Sequence, residues 1–182
     1  MSKILEKIKC SGIEGKHINM RLVELYDAEF IYAMRQNSNR ARFLSGIKNG
    51  VKAQIEWIKK YKARERKRNE FYFIIQSKQD DNVGLVRLYD LREDSFCWGS
   101  WIMKDNVSAN YAIESLLCVY DFGFYTLGFP KAHFDVRKKN VSVLAFHRRF
   151  GAKVISESDL DYYFELTEVD YKIIKKKYSR YQ

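Results

Sequence analysis

The stretch from Ile113 to Pro130 constrains the fold of this 182-residue chain more than any other. Ile113, Leu116, Leu117, Tyr120, Phe124 and Leu127 recur at the spacing of one helix face, and Gly128 followed by Pro130 ends the run. A helix with so wide an apolar stripe needs a surface on which to bury it. The next segments supply one. Ala132–Val136 reads as a short strand, and Val141–Phe150 has helical spacing up to the stop at Gly151. With the strand that ends at Trp101-Ile102-Met103, the centre of the chain is β-α-β-α.

The flanks fit a layered fold around that centre. Ile18 to Leu25 alternates apolar and polar residues as a first strand, and Asp27 is placed to start a helix that ends near Gln36-Asn37-Ser38-Asn39. Gly46 and Gly50 mark a loop. Helical spacing returns from Val51 to Arg68, with Ile55, Ile58 and Tyr61 on one face. Three strands follow, Phe71–Gln76, Val83–Tyr89 and Phe96–Met103, separated by turns at Asp80-Asp81-Asn82 and Arg92-Glu93-Asp94. Val154 and Tyr162–Leu166 suggest two last strands, and Glu168 to Tyr181 a basic terminal helix. No repeat or linker interrupts the order. The expectation is a single α/β (α+β) domain over residues 1–182, with a mixed, mostly antiparallel sheet of about seven strands flanked by helices.

Composition narrows the class. Apolar residues are 46% and aromatics 15% of the chain, enough for a core, so intrinsic disorder is excluded; one proline and nine glycines exclude a collagenous or low-complexity chain. Lys plus Arg total 33 and Asp plus Glu 23, a net charge of +10. Cys10, Cys97 and Cys118 are odd in number and far apart, and His17, His133 and His147 have no metal-ligand spacing. Neither a disulfide framework nor a structural metal is expected, and a reducing cytoplasm is. The segment Met1–Lys9 alternates charged and apolar residues, unlike a secretory leader. Ser115 to Phe129 carries Asp121 and falls short of the ~20 residues that span a bilayer.

Two strings carry a resemblance. Phe134-Asp135-Val136-Arg137-Lys138-Lys139-Asn140, followed by Phe146-His147-Arg148-Arg149-Phe150-Gly151-Ala152, is similar to the strand L-x-V-x-x-x-N and helix L-Y-E-K-x-G-F of the GNAT acyltransferase superfamily. Asp121-Phe122-Gly123-Phe124-Tyr125-Thr126-Leu127-Gly128 resembles the helix end of its ribosomal-protein N-terminal acetyltransferase branch. The residue-level likeness spans roughly Trp98 to Ala152, and the element order nearly the whole chain.

The resemblance implies an acyl-CoA co-substrate, acetyl-CoA by default, and no metal. The coenzyme's phosphates need convergent donors, and a loop feeding a helix N-terminus offers unpaired N–H groups and the positive end of the helix dipole. Asp105 to Ala112 occupies that place, and Met103, Lys104, Val107, Ser108, Ala109, Asn110, Tyr111 and Ala112 are the coenzyme-binding residues the resemblance implies. Ser108 and Asn110 stand where the family has glycines. Met103 would offer a backbone N–H to the thioester carbonyl, Asn140 would contact the pantetheine arm or organise the following helix, and Arg148 would add positive charge. His147 stands where the family has the tyrosine that protonates the sulfur; a half-buried helical histidine is the structural alternative. Asp135 stands where the N-terminal acetyltransferase branch has a general base, or is salt-bridged to Arg137 or a neighbour. His133, Asp135 and Arg137 share one strand face, and Ala132, Phe134 and Val136 the other. Glu114 reads as a helix-start charge.

Seven of the ten residues from Lys59 to Arg68 are Lys or Arg. The run is either a solvated helix face or a cover for an anionic acceptor. Trp98 and Trp101, three apart, are expected on opposite faces, and Tyr162 and Tyr163 could stack on a base or sugar. Arg87-Leu88-Tyr89-Asp90 and Trp98-Gly99-Ser100-Trp101 look similar to members acting on nucleotide-linked amino sugars in surface-polysaccharide pathways, which makes that amine the expected acceptor. A peptide N-terminus is the alternative. A non-enzymatic nucleic-acid binder rests on charge and aromatics alone. Monomer and homodimer both remain open.

Overall fold

The computed structural model describes residues 12–36 and 50–181. The readings on Met1–Lys9, Cys10, Asn37-Ser38-Asn39 and Gly46 lie outside the described residues. The elements are β1 (Ile13–Glu14), β2 (Ile18–Leu22), α1 (Ala28–Gln36), α2 (Val51–Arg66), β3 (Phe71–Ser77), β4 (Asn82–Tyr89), β5 (Ser95–Met103), α3 (Ala109–Asp121), β6 (Lys131–Arg137), α4 (Val141–Phe150), β7 (Lys153–Glu157), β8 (Asp161–Thr167) and α5 (Glu168–Lys177). The eight strands form one sheet in the order β1-β2-β3-β4-β5-β6-β8-β7. Neighbours are antiparallel except β5 and β6. The strand beyond the expected seven is the two-residue β1, too short to leave an alternation signal.

Local chemistry shifts three boundaries. The first strand stops at Leu22 rather than Leu25. Asp27 closes a single 3-10 turn ahead of α1: its carboxylate accepts from the Arg21 guanidinium at 2.7 and 2.8 Å and from the Glu24 N–H at 2.8 Å. The long helix is α-helical only to Asp121 and then widens into a π turn over Phe122–Thr126. Gly123 in that turn lies so close to Phe96 that a Cβ would fall 2.1 Å from its ring.

Each sheet face has its own core. Helices α3, α4 and α5 cover one, with Phe73, Phe96, Trp98, Leu116, Phe134, Phe150, Phe164 and Tyr171 all buried. Helices α1 and α2 cover the other, where Ile31, Ile58 and Tyr61 pack on Tyr72, Ile74, Leu85 and Ile102. The spacing of Ile55, Ile58 and Tyr61 is thus a core face, with Ile55 partly buried. Towards β6 and β8 this second face is open, and Asp135, Arg137 and Tyr163 are exposed there.

Glu114 is not a first-turn surface charge. It lies in the second turn of α3, 1% exposed, and accepts from the His17 backbone N–H at 2.9 and 3.1 Å and from His17 Nδ1 at 2.7 Å. It clasps the β1–β2 turn to α3. Gly15 makes room for it, since a Cβ there would fall 2.2 Å from Glu114 Oε1.

Candidate active site

Strands β5 and β6 pair only over Ser95–Cys97 and Lys131–His133. Beyond that, β5 follows β4 to Met103 while β6 follows β8 to Arg137, so a fork opens between them. A strand edge in such a fork has backbone groups with no ladder partner. Met103 can be placed within it. The Lys104 N–H donates to the Val83 carbonyl at 2.8 Å, so Met103 and Gly84 form the adjacent pair that exchanges no hydrogen bonds. The Met103 N–H therefore points away from β4, towards the gap.

A bulge shapes the floor. The β4–β5 register shifts between Leu85 and Arg87, and Ser100 takes a left-handed φ of 50°. One extra residue returns Trp101 to the face of Trp98, so the expected opposite-face arrangement is corrected. Their ring centroids are 6.0 Å apart. Trp101 Nε1 donates to Ser115 Oγ at 3.2 Å, and its ring meets Phe146 at 5.8 Å, which ties α3 to α4 beneath the fork.

His147 completes this floor. Its ring lies 4.6 Å from Phe134 and 5.4 Å from both Trp98 and Phe146, and the residue is 2% exposed. Burial pushes its pKa down to about 3, so it is a neutral imidazole at physiological pH. Nδ1 is buried with no partner among the described residues. Asn140 is the residue ahead of α4: its carbonyl accepts from the Leu144 N–H at 3.0 Å and its Oδ1 from Ser142 at 3.4 Å. In this structure it organises the helix.

The loop after Met103 leads into α3 with Ser108 as N-cap; Ser108 Oγ accepts from the Asn110 N–H at 3.2 Å, and its carbonyl from the Tyr111 N–H at 3.0 Å. Val107, Tyr111 and Ala112 pack inward on the core, while Lys104, Ser108, Ala109 and Asn110 are exposed. The N–H groups of Val107 and Ser108 have no partner among the described residues. That of Ala109, first in the helix, has none within the helix. Three successive donors at a helix start suit a phosphate even without the family glycines.

Asp135 is on the opposite side of β6 from His147, facing the open sheet surface with His133 and Arg137, as the alternation predicts. Arg137 pairs with Asp161 at 3.1 Å, and Asp135 forms no ion pair with a described residue. Its neighbours on the sheet surface withdraw the exposed residue's carboxylate in part from water, and this first, then Asp161, raises its pKa, against the pull of Arg137. Close by, Cys97 Sγ donates to the Trp98 carbonyl at 3.7 Å, and burial pushes its thiol up to about 12. Arg148 lies over the Tyr162 ring at 5.3 Å, so its described contact joins α4 to β8 rather than to the donor loop. On the open face, Phe30, Ala33 and Met34 of α1 enclose with Ile102, Met103, Lys104 and Asp105 a cavity of about 170 Å³. The fork thus joins a donor-rich loop and aromatic floor on one side to a carboxylate and a cavity on the other.

Sequence reasoning missed the cavity and the bulge. A single inserted residue leaves no mark on apolar alternation, although a polar Gly99-Ser100 pair between two tryptophans was its one trace.

Comparison with known proteins places this arrangement. Residues 17–153 match the family profile described as an acetyltransferase (GNAT) domain. Among curated proteins none matches. The apo structure of FdhC, a nucleotide-linked sugar GNAT, is 43% identical over 93% of this chain and 97% of its own, with a TM-score of 0.86. A GCN5-related N-acetyltransferase from Brucella melitensis is 14% identical, covering 96% and 86% of the two chains, with a TM-score of 0.78. The spermidine N-acetyltransferase from Vibrio cholerae, in complex with CoA and spermine, is 17% identical over 86% and 98%, with a TM-score of 0.70. The last two likenesses concern the fold.

Proposed function

The chain belongs to the GNAT acetyltransferase family, and from that premise we propose that it transfers an acyl group from acyl-CoA, acetyl-CoA by default, to the amine of a nucleotide-linked amino sugar. The observation that carries the acceptor is the 43% identity, over nearly the full length of both chains, with a nucleotide-linked sugar GNAT. The likeness to the spermidine N-acetyltransferase is far lower in identity. In this reading the protein works in the cytoplasm, in surface-polysaccharide assembly.

The residues divide the work by sheet face. The N–H groups of Val107, Ser108 and Ala109 hold the coenzyme phosphates, with Lys104, Asn110, Tyr111 and Ala112 shaping the loop and Asn140 setting the start of α4. The Met103 N–H polarises the thioester carbonyl, an effect of about 10²–10³ in rate for a fixed donor. Asp135, with its raised pKa and no ion pair, takes the proton of the acceptor amine from the open face. His147 is neutral and offers an N–H to the departing sulfur; a pre-formed imidazolium is excluded by its burial.

Free-thiol release from acetyl-CoA with a panel of nucleotide amino sugars, free amino sugars and peptides tests the reading. Release with nucleotide amino sugars is the expected result. Release with peptides alone would overturn the acceptor, and absence of acyl-CoA binding by calorimetry would overturn the donor.

A further inference from the structure

Glu70, at the entrance to β3, is 3% exposed and meets two arginines. Arg64 Nε of α2 donates to Oε2 at 2.5 Å, and Arg87 Nε of β4 lies 2.6 Å from Oε1. Both guanidinium groups also lie over the Trp57 ring, at 5.3 and 5.4 Å from its centroid, and Arg87 lies 4.4 Å from the centroid of the Tyr89 ring. Trp57 is itself braced, stacked on Tyr61 at 5.9 Å and edge-on to Tyr72 at 5.8 Å.

A tie between α2 and the sheet needs one arginine on one carboxylate. Here two are held, which leaves one net positive charge in a rigid stack. Arg64 turns Nε to Glu70, Arg87 Nε lies beside Oε1 without donating to it, and no described residue accepts from the Nη groups of either. Guanidinium forks already oriented in this way match the paired oxygens of phosphates.

Position gives the charge its meaning. Arg87 and Tyr89 project from the same face of the sheet as Asp135. Gly99 lies between them on β5, and a Cβ there would fall 2.9 Å from the Tyr89 hydroxyl, so this glycine lets the ring lie across β5. Strand β4 is separated from β6 by at least two strand spacings, roughly 10 Å. That span is comparable with a hexose ring and its anomeric phosphate.

We propose that Arg64 and Arg87, held by Glu70 and stacked on Trp57 and Tyr89, bind the diphosphate of the acceptor and so place its amine at Asp135. The assignment rests on the acceptor class proposed above and deepens it. It distinguishes a nucleotide-linked sugar from the free sugar through two charge-assisted contacts.

Calorimetry with UDP and dTDP, and steady-state kinetics, on R64A and R87K test it. R64A removes the half-exposed arginine, and R87K keeps the charge but loses the fork. Either variant should weaken nucleoside diphosphate binding and raise the KM for a nucleotide amino sugar by about 10-fold or more. The KM for acyl-CoA should be unchanged in both variants. Nucleotide amino sugars turned over by both variants with an unaltered KM would overturn the clamp and leave the acceptor class standing. Thiol release with peptides alone, alongside Arg64-dependent UDP binding, would overturn the acceptor class and keep the clamp as a nucleotide site.

Discussion

Four aromatic rings surround His147, among them Phe164 at 6.0 Å, and keep its imidazole neutral down to a pKa of about 3. The consequence for stability has a definite sign. Unfolded chains take up this proton below the usual value of about 6.5, whereas the folded protein does not until far lower. The contribution is complete above 6.5 and is lost by up to roughly 1.4 kcal/mol per pH unit as the pH falls from there towards 3. Denaturation midpoints of His147→Phe should therefore depend less on pH in that window; a profile parallel to the wild type would show that another group titrates. The same substitution should lower turnover more than acyl-CoA affinity. Asp135 gives the kinetic counterpart. Because partial desolvation raises its pKa, the rate should fall with decreasing pH through a limb above the ordinary aspartate range. Asp135→Asn should lack that limb and lose about 10²–10⁴-fold in kcat. The strand face of Asp135 was legible in the sequence from alternation, and both residues stand out as candidates in the family strings. The neutrality of His147 was not, because three of those rings come from three strands distant in the chain.

At the scale of elements, β5 is the piece on which the site depends. Its bulge at Ser100 sends Trp98 and Trp101 to one face, and its divergence from β6 exposes the Met103 N–H. Deletion of Ser100 should return Trp101 to the opposite face and remove its contacts with Ser115 and Phe146; calorimetry should then show acyl-CoA binding lost. Ser100→Gly should retain binding, since glycine accepts the positive φ without strain. Helix α3 offers a second test. Gly123→Ala would press a methyl group into the Phe96 ring and should destabilise by about 1–3 kcal/mol in denaturant titrations. The apolar spacing from Ile113 to Leu127 made the helix itself evident but not its π turn, because that turn exists to seat Phe122 and Phe124 against β3 and β5.

For the molecule as a whole, the net charge of +10 is spent unevenly. Within the basic run of α2, Lys59 pairs with Glu56, Lys62 with Glu24 and Glu65, and Arg64 with Glu70. Lys138 pairs with Glu157, and Arg137 with Asp161. Much of the apparent basic surface is therefore compensated, and what distinguishes the Arg64–Arg87 pair is two cations on one buried anion. The Glu114 clasp is the long-range tie to the start of the sheet. Glu114→Ala should cost about 3 kcal/mol in unfolding free energy, because it leaves the His17 N–H groups without an acceptor. The sequence by itself determined the order of the elements, their apolar faces, the donor-rich loop ahead of α3 and the face of β6 that carries Asp135. These follow from local periodicity and turn chemistry, which neighbouring residues encode. Only the tertiary structure decided which charges cancel, on which face Trp101 lies, and that β5 parts from β6. Those outcomes come from pairings between residues far apart in the chain, which no local spacing records.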